Sequence, residues 1–99
     1  MKAFNVLLTD SAYADLVEIR NWVALQADEA TANAFVDRIQ TRLAKLAHFP
    51  ERGTPHPEIR ADIRSLSFER NYLIFFHASG EIVWIDRIVS AKRDLGNLN

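Results

Sequence analysis

Two strongly apolar segments near the end of the chain, residues 72–77 and 82–89, constrain its fold more than any other feature. They are joined by a short turn that contains Gly80, so the pattern predicts a β-hairpin. Successive side chains of a strand point to opposite faces, and therefore neighbours such as Phe75 and Phe76 cannot both face the same layer. A sheet that contains this hairpin needs an apolar cover on both of its faces.

The length of 99 residues predicts one small domain over residues 1–99. With 48% hydrophobic and 25% charged residues, the chain has the composition of a globular protein. It contains no cysteine, which excludes a disulfide framework and a thiolate zinc site.

No apolar run approaches the roughly 20 residues of a membrane helix. Met1-Lys2 is not followed by a signal-peptide apolar core, so we expect a cytoplasmic protein with no membrane partner.

Two amphipathic helices are predicted after a short apolar strand at residues 3–8. Thr9 or Asp10 can cap the first helix and Asp28 the second, because a side-chain oxygen there accepts hydrogen bonds from free amides. Pro50 disfavours helical geometry in the residue before it, so the second helix should end near residue 48. The inward stripes of the two helices are Ala12, Leu16, Ile19 and Val23, and Ala32, Phe35, Val36, Ile39, Leu43 and Leu46.

Three strands are predicted after a surface loop at residues 49–61, which contains all three prolines. The strands span residues 63–69, 72–77 and 82–89. The element order is therefore β-α-α-β-β-β. Because helices and strands do not alternate, this order favours an α+β fold: an N-terminal strand, a helical hairpin and a three-stranded antiparallel sheet.

Two helices cover one face of such a sheet, and the sequence leaves two possible covers for the other. One is the loop at residues 49–61 with the C-terminal tail, since connecting segments run over protein surfaces. The other is a partner protein. Trp22, Leu73, Phe75 and Trp84 are then either core residues or partner-facing residues, and a one-residue register error would exchange the strand assignments.

Four arginines, Arg64, Arg70, Arg87 and Arg93, lie in or beside the predicted strands. If they converge on one side of the sheet they can bind phosphate bidentately, whereas salt bridges with the interleaved acids are the alternative.

A net charge of −1 gives no general attraction to nucleic acid. The sequence has no metal-ligand spacing, no glycine-rich phosphate loop and no nucleophile elbow, so we expect no metal and no cofactor.

Several segments, taken in order, resemble the ParE/RelE superfamily, the small toxins of bacterial type II toxin–antitoxin pairs. The resemblance covers essentially all of the chain and implies the same α+β fold. It depends on Arg64 and on residues 6–19 (VLLTDSAYADLVEI), 46–53 (LAHFPERG), 70–76 (RNYLIFF) and 85–95 (IDRIVSAKRDL).

The superfamily has two activities, and the resemblance alone leaves both open. RelE-like members cut messenger RNA on the ribosome, and in that case Arg64, Arg70 and Arg93 would hold the phosphate. Those nucleases usually carry a C-terminal Tyr as acid or base, but this chain ends in GNLN, with no Tyr after Tyr72. Arginines stabilise charge but transfer protons poorly, so the residues present favour a toxin that is not an enzyme.

The ending at residues 87–95 is closer to ParE-like members, although many of those carry His where this chain has Ser90. The resemblance therefore implies a ParE-like toxin that poisons DNA gyrase and is neutralised by a ParD-like antitoxin. The alternatives are a RelE-like ribosome-dependent ribonuclease and an inactive homologue that only binds antitoxin. The implied target-binding residues are Arg64, Arg70, Arg87 and Arg93, and the implied antitoxin-binding residues are Trp22, Leu73, Phe75 and Trp84.

Overall fold

The computed structural model describes residues 3–91 and confirms the predicted α+β class and element order. None of the helices in this part of the chain has the length and apolar character needed to cross a membrane. The elements are β1 (Asn5–Leu8), α1 (Asp10–Gln26), α2 (Glu29–Ala44), a 3₁₀ turn (Lys45–Ala47), β2 (Thr54–Pro55), β3 (Arg64–Phe68), β4 (Tyr72–Ser79) and β5 (Ile82–Ser90).

Both helices begin at side-chain caps. Thr9 caps α1, because its Oγ1 accepts a hydrogen bond of 3.1 Å from the amide of Ala12. Asp28 caps α2 by accepting a bond of 2.7 Å from the amide of Thr31, and this backbone hydrogen bond lowers the pKa of the Asp28 carboxyl. The caps at residues 9 and 28 therefore determine where the first and the second helix begin.

The sheet has five strands in the order β1-β5-β4-β3-β2, two more than the three-stranded sheet predicted from the sequence. The N-terminal strand joins it, because β1 pairs in parallel with β5 and places Leu8 beside Ile85. The additional strand, β2, has only two residues and pairs with β3. Gly53 permits this pairing: its φ is +86°, and a Cβ there would lie 2.3 Å from the carbonyl oxygen of Ser65.

The helical hairpin packs on one face of the sheet, and the core lies between these two layers. The inward stripe of α1 packs on β5, while Phe35 of α2 packs against Phe68 of β3 and Tyr72 of β4. Burial of these side chains is the main stabilising term for a domain of this kind. The sheet contributes Phe68, Ile74, Phe76, Val83, Ile85 and Ile88, and the helices and 3₁₀ turn contribute Ala12, Leu16, Phe35, Ile39, Leu43 and Leu46.

Candidate functional site

The face of the sheet that points away from the helices carries a half-buried apolar strip, which we call the open face. Leu73 and Phe75 of β4 lie on it, and the register places His77 of the same strand beside Trp84 of β5. Leu7 of β1 lies next to Trp84 and is 43% exposed. The structure therefore brings together three of the four residues that the sequence assigned to antitoxin binding.

A β-bulge shapes the open face at Asp86. Phe76 pairs with Ile85, but the preceding residue Phe75 pairs with Arg87, so Asp86 is the extra residue of β5. The bulge allows Ile85 and Ile88 both to enter the core although they are three residues apart. Bulges re-aim side chains in this way and are frequent next to functional sites.

The side chain of Asp86 binds His77 on the open face, and the two form a half-buried pair. His77 Nδ1 and Asp86 Oδ2 are 2.7 Å apart, and their side chains are 16% and 19% exposed. Thr9 stabilises the bulge, because its Oγ1 donates a hydrogen bond of 3.0 Å to the carbonyl oxygen of Asp86. The start of α1 and the geometry of the open face are thus coupled through one threonine.

The loop between β2 and β3 covers part of the open face through His56. Its ring lies 5.5 Å from the ring of Phe75, and its Nε2 is 2.7 Å from the hydroxyl of the buried Ser65. His56 Nδ1 also contacts Glu58 at 3.0 Å. The Glu58 backbone amide, followed by this histidine, lowers the pKa of the Glu58 carboxyl. The loop cover considered from the sequence therefore applies in part, because the loop shields Phe75 while Trp84 is only partly buried.

Charged side chains border the open face but form no metal centre. Arg60 and Asp62 of the same loop form an ion pair of 2.6 Å, and this hydrogen bond lowers the pKa of the Asp62 carboxyl. Within residues 3–91, no group of three or more histidine and carboxylate side chains has the geometry to hold a metal ion.

Of the arginines predicted to bind the target, the three that the structure describes do not form one cluster. Arg64 begins β3 beside Phe76, on the helix side, and donates to the carbonyl oxygen of Glu51 at 2.9 Å. Arg70 follows the other end of the same strand, which spans four residue steps from Arg64, roughly 13 Å at about 3.3 Å per residue. Arg93 lies outside the described residues.

Arg87 is held at the edge of the sheet by α1. Its Nε and Nη2 donate to the two carboxylate oxygens of Asp15 at 2.7 and 3.0 Å, and the same carboxylate accepts the amide of Ile88 at 2.9 Å. Asp15 continues the hydrogen bonding of β5 beyond the point where β1 ends. The observed contacts give Arg87 a structural role in joining α1 to β5.

The fourth predicted antitoxin-binding residue lies elsewhere. Trp22 is on α1 and is 56% exposed, in a shallow apolar groove on the outer surface of that helix. Because α1 covers the opposite side of the sheet, this groove and the open face lie on different sides of the molecule. A ligand that contacts both Trp22 and Trp84 must pass around the edge of the domain.

Sequence reasoning missed two features of these surfaces. The pairing of His77 with Asp86 depends on a bulge that no local pattern indicates. The apolar outer surface of α1 could have been found, because Tyr13, Val17 and Leu25 recur at helical spacing beside the core stripe.

Comparisons with known proteins give one family and one fold. The sequence profile of the ParE toxins of type II toxin–antitoxin systems matches residues 6–95. Among solved structures, a chain of the chromosomal ParDE toxin–antitoxin system from P. aeruginosa superposes with a TM-score of 0.77 at 24% sequence identity. The match covers 89% of this chain and 96% of that chain, and it shows a shared fold. No curated protein sequence matches significantly.

Proposed function

Because the chain belongs to the ParE toxin family of type II toxin–antitoxin systems, we propose that it inhibits bacterial growth by poisoning DNA gyrase until a ParD-like antitoxin binds it. The proposal places this toxin in the cytoplasm, where both the gyrase and the antitoxin are found. Plasmid or chromosome stabilisation would be the biological outcome of such a pair.

Antitoxin binding is supported by the apolar surface that lies outside the core. Leu7 and Trp84 are neighbours on the open face, Leu73 lies further along the same face, and Trp22 lies in a groove on α1. Exposed apolar patches of this kind mark protein–protein contacts, and tryptophan is enriched among the residues that dominate binding energy. An extended antitoxin segment that wraps the domain can cover both patches, as segments that fold on binding do.

The choice of DNA gyrase as target is supported by membership of the ParE toxin family and by the position of Arg70. This residue is exposed at the turn between β3 and β4, and no carboxylate within residues 3–91 binds its guanidinium. Arg70 is therefore available to an external partner. Arg64, Arg87 and Arg93 remain candidate target-binding residues, with Arg87 contributing first to the junction of α1 and β5.

The ribonuclease alternative has less support from the geometry. It requires several arginines around one phosphate, but Arg64 and Arg70 stand at opposite ends of β3. His77 could supply the missing base, but it lies on the open face, whereas Arg64 lies on the helix side of the sheet. An inactive homologue that only binds antitoxin is the remaining alternative.

A reconstituted gyrase assay tests the proposal. Purified toxin is added to gyrase, ATP and supercoiled plasmid, and linear DNA from trapped cleavage complexes is quantified with and without the product of the adjacent gene. We expect linear DNA with toxin alone and none once the adjacent product is in excess. Arg70→Ala should lose the cleavage and still bind the antitoxin. Intact plasmid at every toxin concentration, with ribosome-dependent cleavage of messenger RNA in a parallel reaction, would overturn the proposal in favour of the ribonuclease.

A further inference from the structure

The lysine and arginine side chains of residues 3–91 fall into two groups. One group forms ion pairs with carboxylates: Arg20, Arg38, Arg60 and Arg87. The other group has no carboxylate partner in this part of the chain: Arg42, Lys45, Arg52, Arg64 and Arg70. All of the second group except Arg70 belong to the end of α2, the turn after it or the start of β3. We call the surface formed by Arg42, Lys45, Phe49, Arg52 and Arg64 the basic patch.

Backbone hydrogen bonds keep the members of the basic patch that follow each other in the sequence close together. The amide of Lys45 donates to the carbonyl oxygen of Arg42 at the end of α2. The next turn is closed by a bond of 3.3 Å from the amide of His48 to the carbonyl oxygen of Lys45. A further bond of 3.3 Å joins the amide of Arg52 to the carbonyl oxygen of Phe49. This segment therefore turns back on itself instead of extending away from the helix.

Arg64 reaches the same surface from β3. Its Nη1 donates to the carbonyl oxygen of Glu51 at 2.9 Å, so its guanidinium lies against the peptide bond that precedes Arg52. Gly53 allows the turn to come this close to β3, because a Cβ on this glycine would meet the backbone of Ser65. The basic patch thus combines cations from two separate parts of the sequence.

The guanidinium of Arg42 is short of hydrogen-bond acceptors. Its Nε is buried and has no hydrogen-bond partner within residues 3–91, although the residue as a whole is only half-buried. Buried polar groups are normally hydrogen-bonded, and a buried charge without compensation is costly. An anion held at the outer nitrogens of this guanidinium would reduce that cost.

The basic patch is a local excess of positive charge on a chain that is acidic overall. Residues 42–52 carry three cations and one acid, a net charge of +2, and Arg64 raises it to +3, whereas the whole chain carries −1. The acid, Glu51, is exposed and forms no ion pair with these cations. The helix dipole of α2 attracts cations only to its last turn, and Arg52 and Arg64 lie outside that turn. The excess therefore indicates an anionic ligand.

An aromatic side chain stands among these cations. The ring of Phe49 is in an exposed position, 54% accessible, and the guanidinium carbon of Arg52 lies 5.1 Å from the ring centroid. Proteins that bind single-stranded nucleic acid combine cations that follow the phosphates with aromatic rings on which bases stack. The planar fork of an arginine also matches a phosphate bidentately.

Other occupants fit the basic patch less well. A second copy of the chain would bring the same positive charge and would be repelled. A membrane surface is bound by an extended apolar face beside the cations, but Phe49 is the single apolar side chain of the patch. An acidic protein segment would satisfy the arginines and leave the ring of Phe49 without a planar partner.

We propose that the basic patch binds single-stranded nucleic acid, with its cations on the phosphates and the ring of Phe49 stacked on a base. The binding is independent of base sequence, because every base has a face that can stack. The inference goes beyond the proposed function and does not rest on it, since neither gyrase nor antitoxin takes part.

Fluorescence anisotropy with the full chain tests the inference. The probes are labelled oligothymidylate and oligouridylate of about 12 nucleotides, within the range of site sizes of single-strand-binding proteins. Arg52→Gln should weaken binding at least fivefold. The matched control is Arg20→Gln, which removes the same charge from an arginine that is paired with Glu29 at the start of α2, and it should change binding less than twofold. Thermal melts establish that both variants are folded.

The dependence on salt separates phosphate contacts from other kinds of binding. Three phosphate contacts predict that the logarithm of the binding constant falls with the logarithm of salt concentration with a slope of about −2 for a single strand. Arg52→Gln should reduce the magnitude of this slope by about 0.7, because one contact is lost. An unchanged slope in that variant would overturn the inference.

Phe49→Ala tests the stacking contact. It should weaken binding of both oligonucleotides at least fivefold and leave the salt slope unchanged, because the ring carries no charge. Equal affinity for the two oligonucleotides would assign the site to the backbone that DNA and RNA share, and a preference for one of them would identify the source of the strand.

Two results would overturn the inference outright. One is no binding of either oligonucleotide by the wild type at about 50 mM salt, where phosphate contacts are strong. The other is an equal loss of binding in Arg52→Gln and Arg20→Gln. Binding of a polyglutamate peptide that Arg52→Gln abolishes, with no binding of oligonucleotide, would overturn it in favour of an acidic protein segment.

Discussion

Arg70 has a backbone conformation that its residue type rarely adopts. Its φ is +66°, and the preceding residue Glu69 has a φ of +48°. Side chains other than glycine, asparagine and aspartate disfavour this region, and such residues persist where the surrounding structure or a function requires them. A glycine would fit the turn with less strain, so the arginine at this position is consistent with the proposed contact to the target.

Replacing Arg70 by glycine should separate stability from activity. We expect Arg70→Gly to raise the free energy of unfolding by about 1 kcal/mol, because glycine adopts a positive φ without steric cost. The same variant should lose growth inhibition, because the guanidinium is gone. Urea denaturation and growth after induction measure the two effects. A variant that is more stable and fully toxic would remove Arg70 from the target-binding site.

Asp15 is the residue on which the contact between α1 and β5 depends most. Its carboxylate, on a side chain that is 14% exposed, accepts two bonds from Arg87 and one from the amide of Ile88. Asp15→Ala should therefore lower the free energy of unfolding by about 2–3 kcal/mol, since hydrogen bonds to charged groups are worth more than neutral ones. Asp37→Ala, on the exposed face of α2, should change it by less than about 0.5 kcal/mol. Equal losses in the two variants would contradict the role given to Asp15.

At the scale of the elements, an ion pair joins α2 to the turn after β3. Arg38 Nε and Nη2 donate to the two carboxylate oxygens of Glu69 at 2.8 and 3.1 Å. These side-chain hydrogen bonds lower the pKa of the Glu69 carboxyl. A group whose pKa is lowered by folding contributes stability above its unfolded-state pKa, which is about 4.3 for Glu, and loses that contribution as the pH falls through the folded value.

The stability difference between the wild type and Glu69→Gln should therefore depend on pH. We expect the wild type to be more stable near pH 6 and the difference to disappear as the pH falls from about 5 to about 3, because protonation removes the charge that Gln lacks. The pair is exposed, so the difference is small and is best followed as the shift in urea midpoint. A difference that stays constant down to pH 3 would contradict the assignment.

The elements also show what the sequence could predict. The caps at Thr9 and Asp28 and the inward stripes of both helices follow from local chemistry, and the structure confirms them. The bulge at Asp86 could not be predicted, because it depends on Thr9 and His77, which are distant in sequence. Strict alternation from Ile82 would have turned Ile88 away from the core.

At the scale of the whole molecule, the sequence correctly predicted that the sheet carries more apolar side chains than the two helices cover. It did not predict where on the surface those side chains lie. Long-range pairing decides that β1 joins β5 in parallel, which extends the open face through Leu7. Chain topology likewise decides that Trp22 and Trp84 lie on different sides of the sheet. Four arginines near the strands looked equivalent in the sequence, yet Arg64 lies on the helix side and Arg87 is bound by Asp15.

A two-layer domain with exposed apolar side chains on both layers offers a protein partner contact surface on each of them. The helices bury one face of the sheet, the loop with His56 shields part of the other, and the outer groove of α1 remains open. Under the proposed function, such a partner restrains a toxin directed at DNA gyrase.

Pulse-labelling after induction distinguishes a gyrase poison from an inhibitor of protein synthesis. The chain is induced in growing bacteria, alone or with the adjacent gene, and the incorporation of labelled thymidine and methionine is followed over the first minutes. We expect that DNA synthesis stops first, that cells then filament, and that co-induction of the adjacent gene prevents both effects. An early stop in protein synthesis while DNA synthesis continues would show that the target is not DNA gyrase.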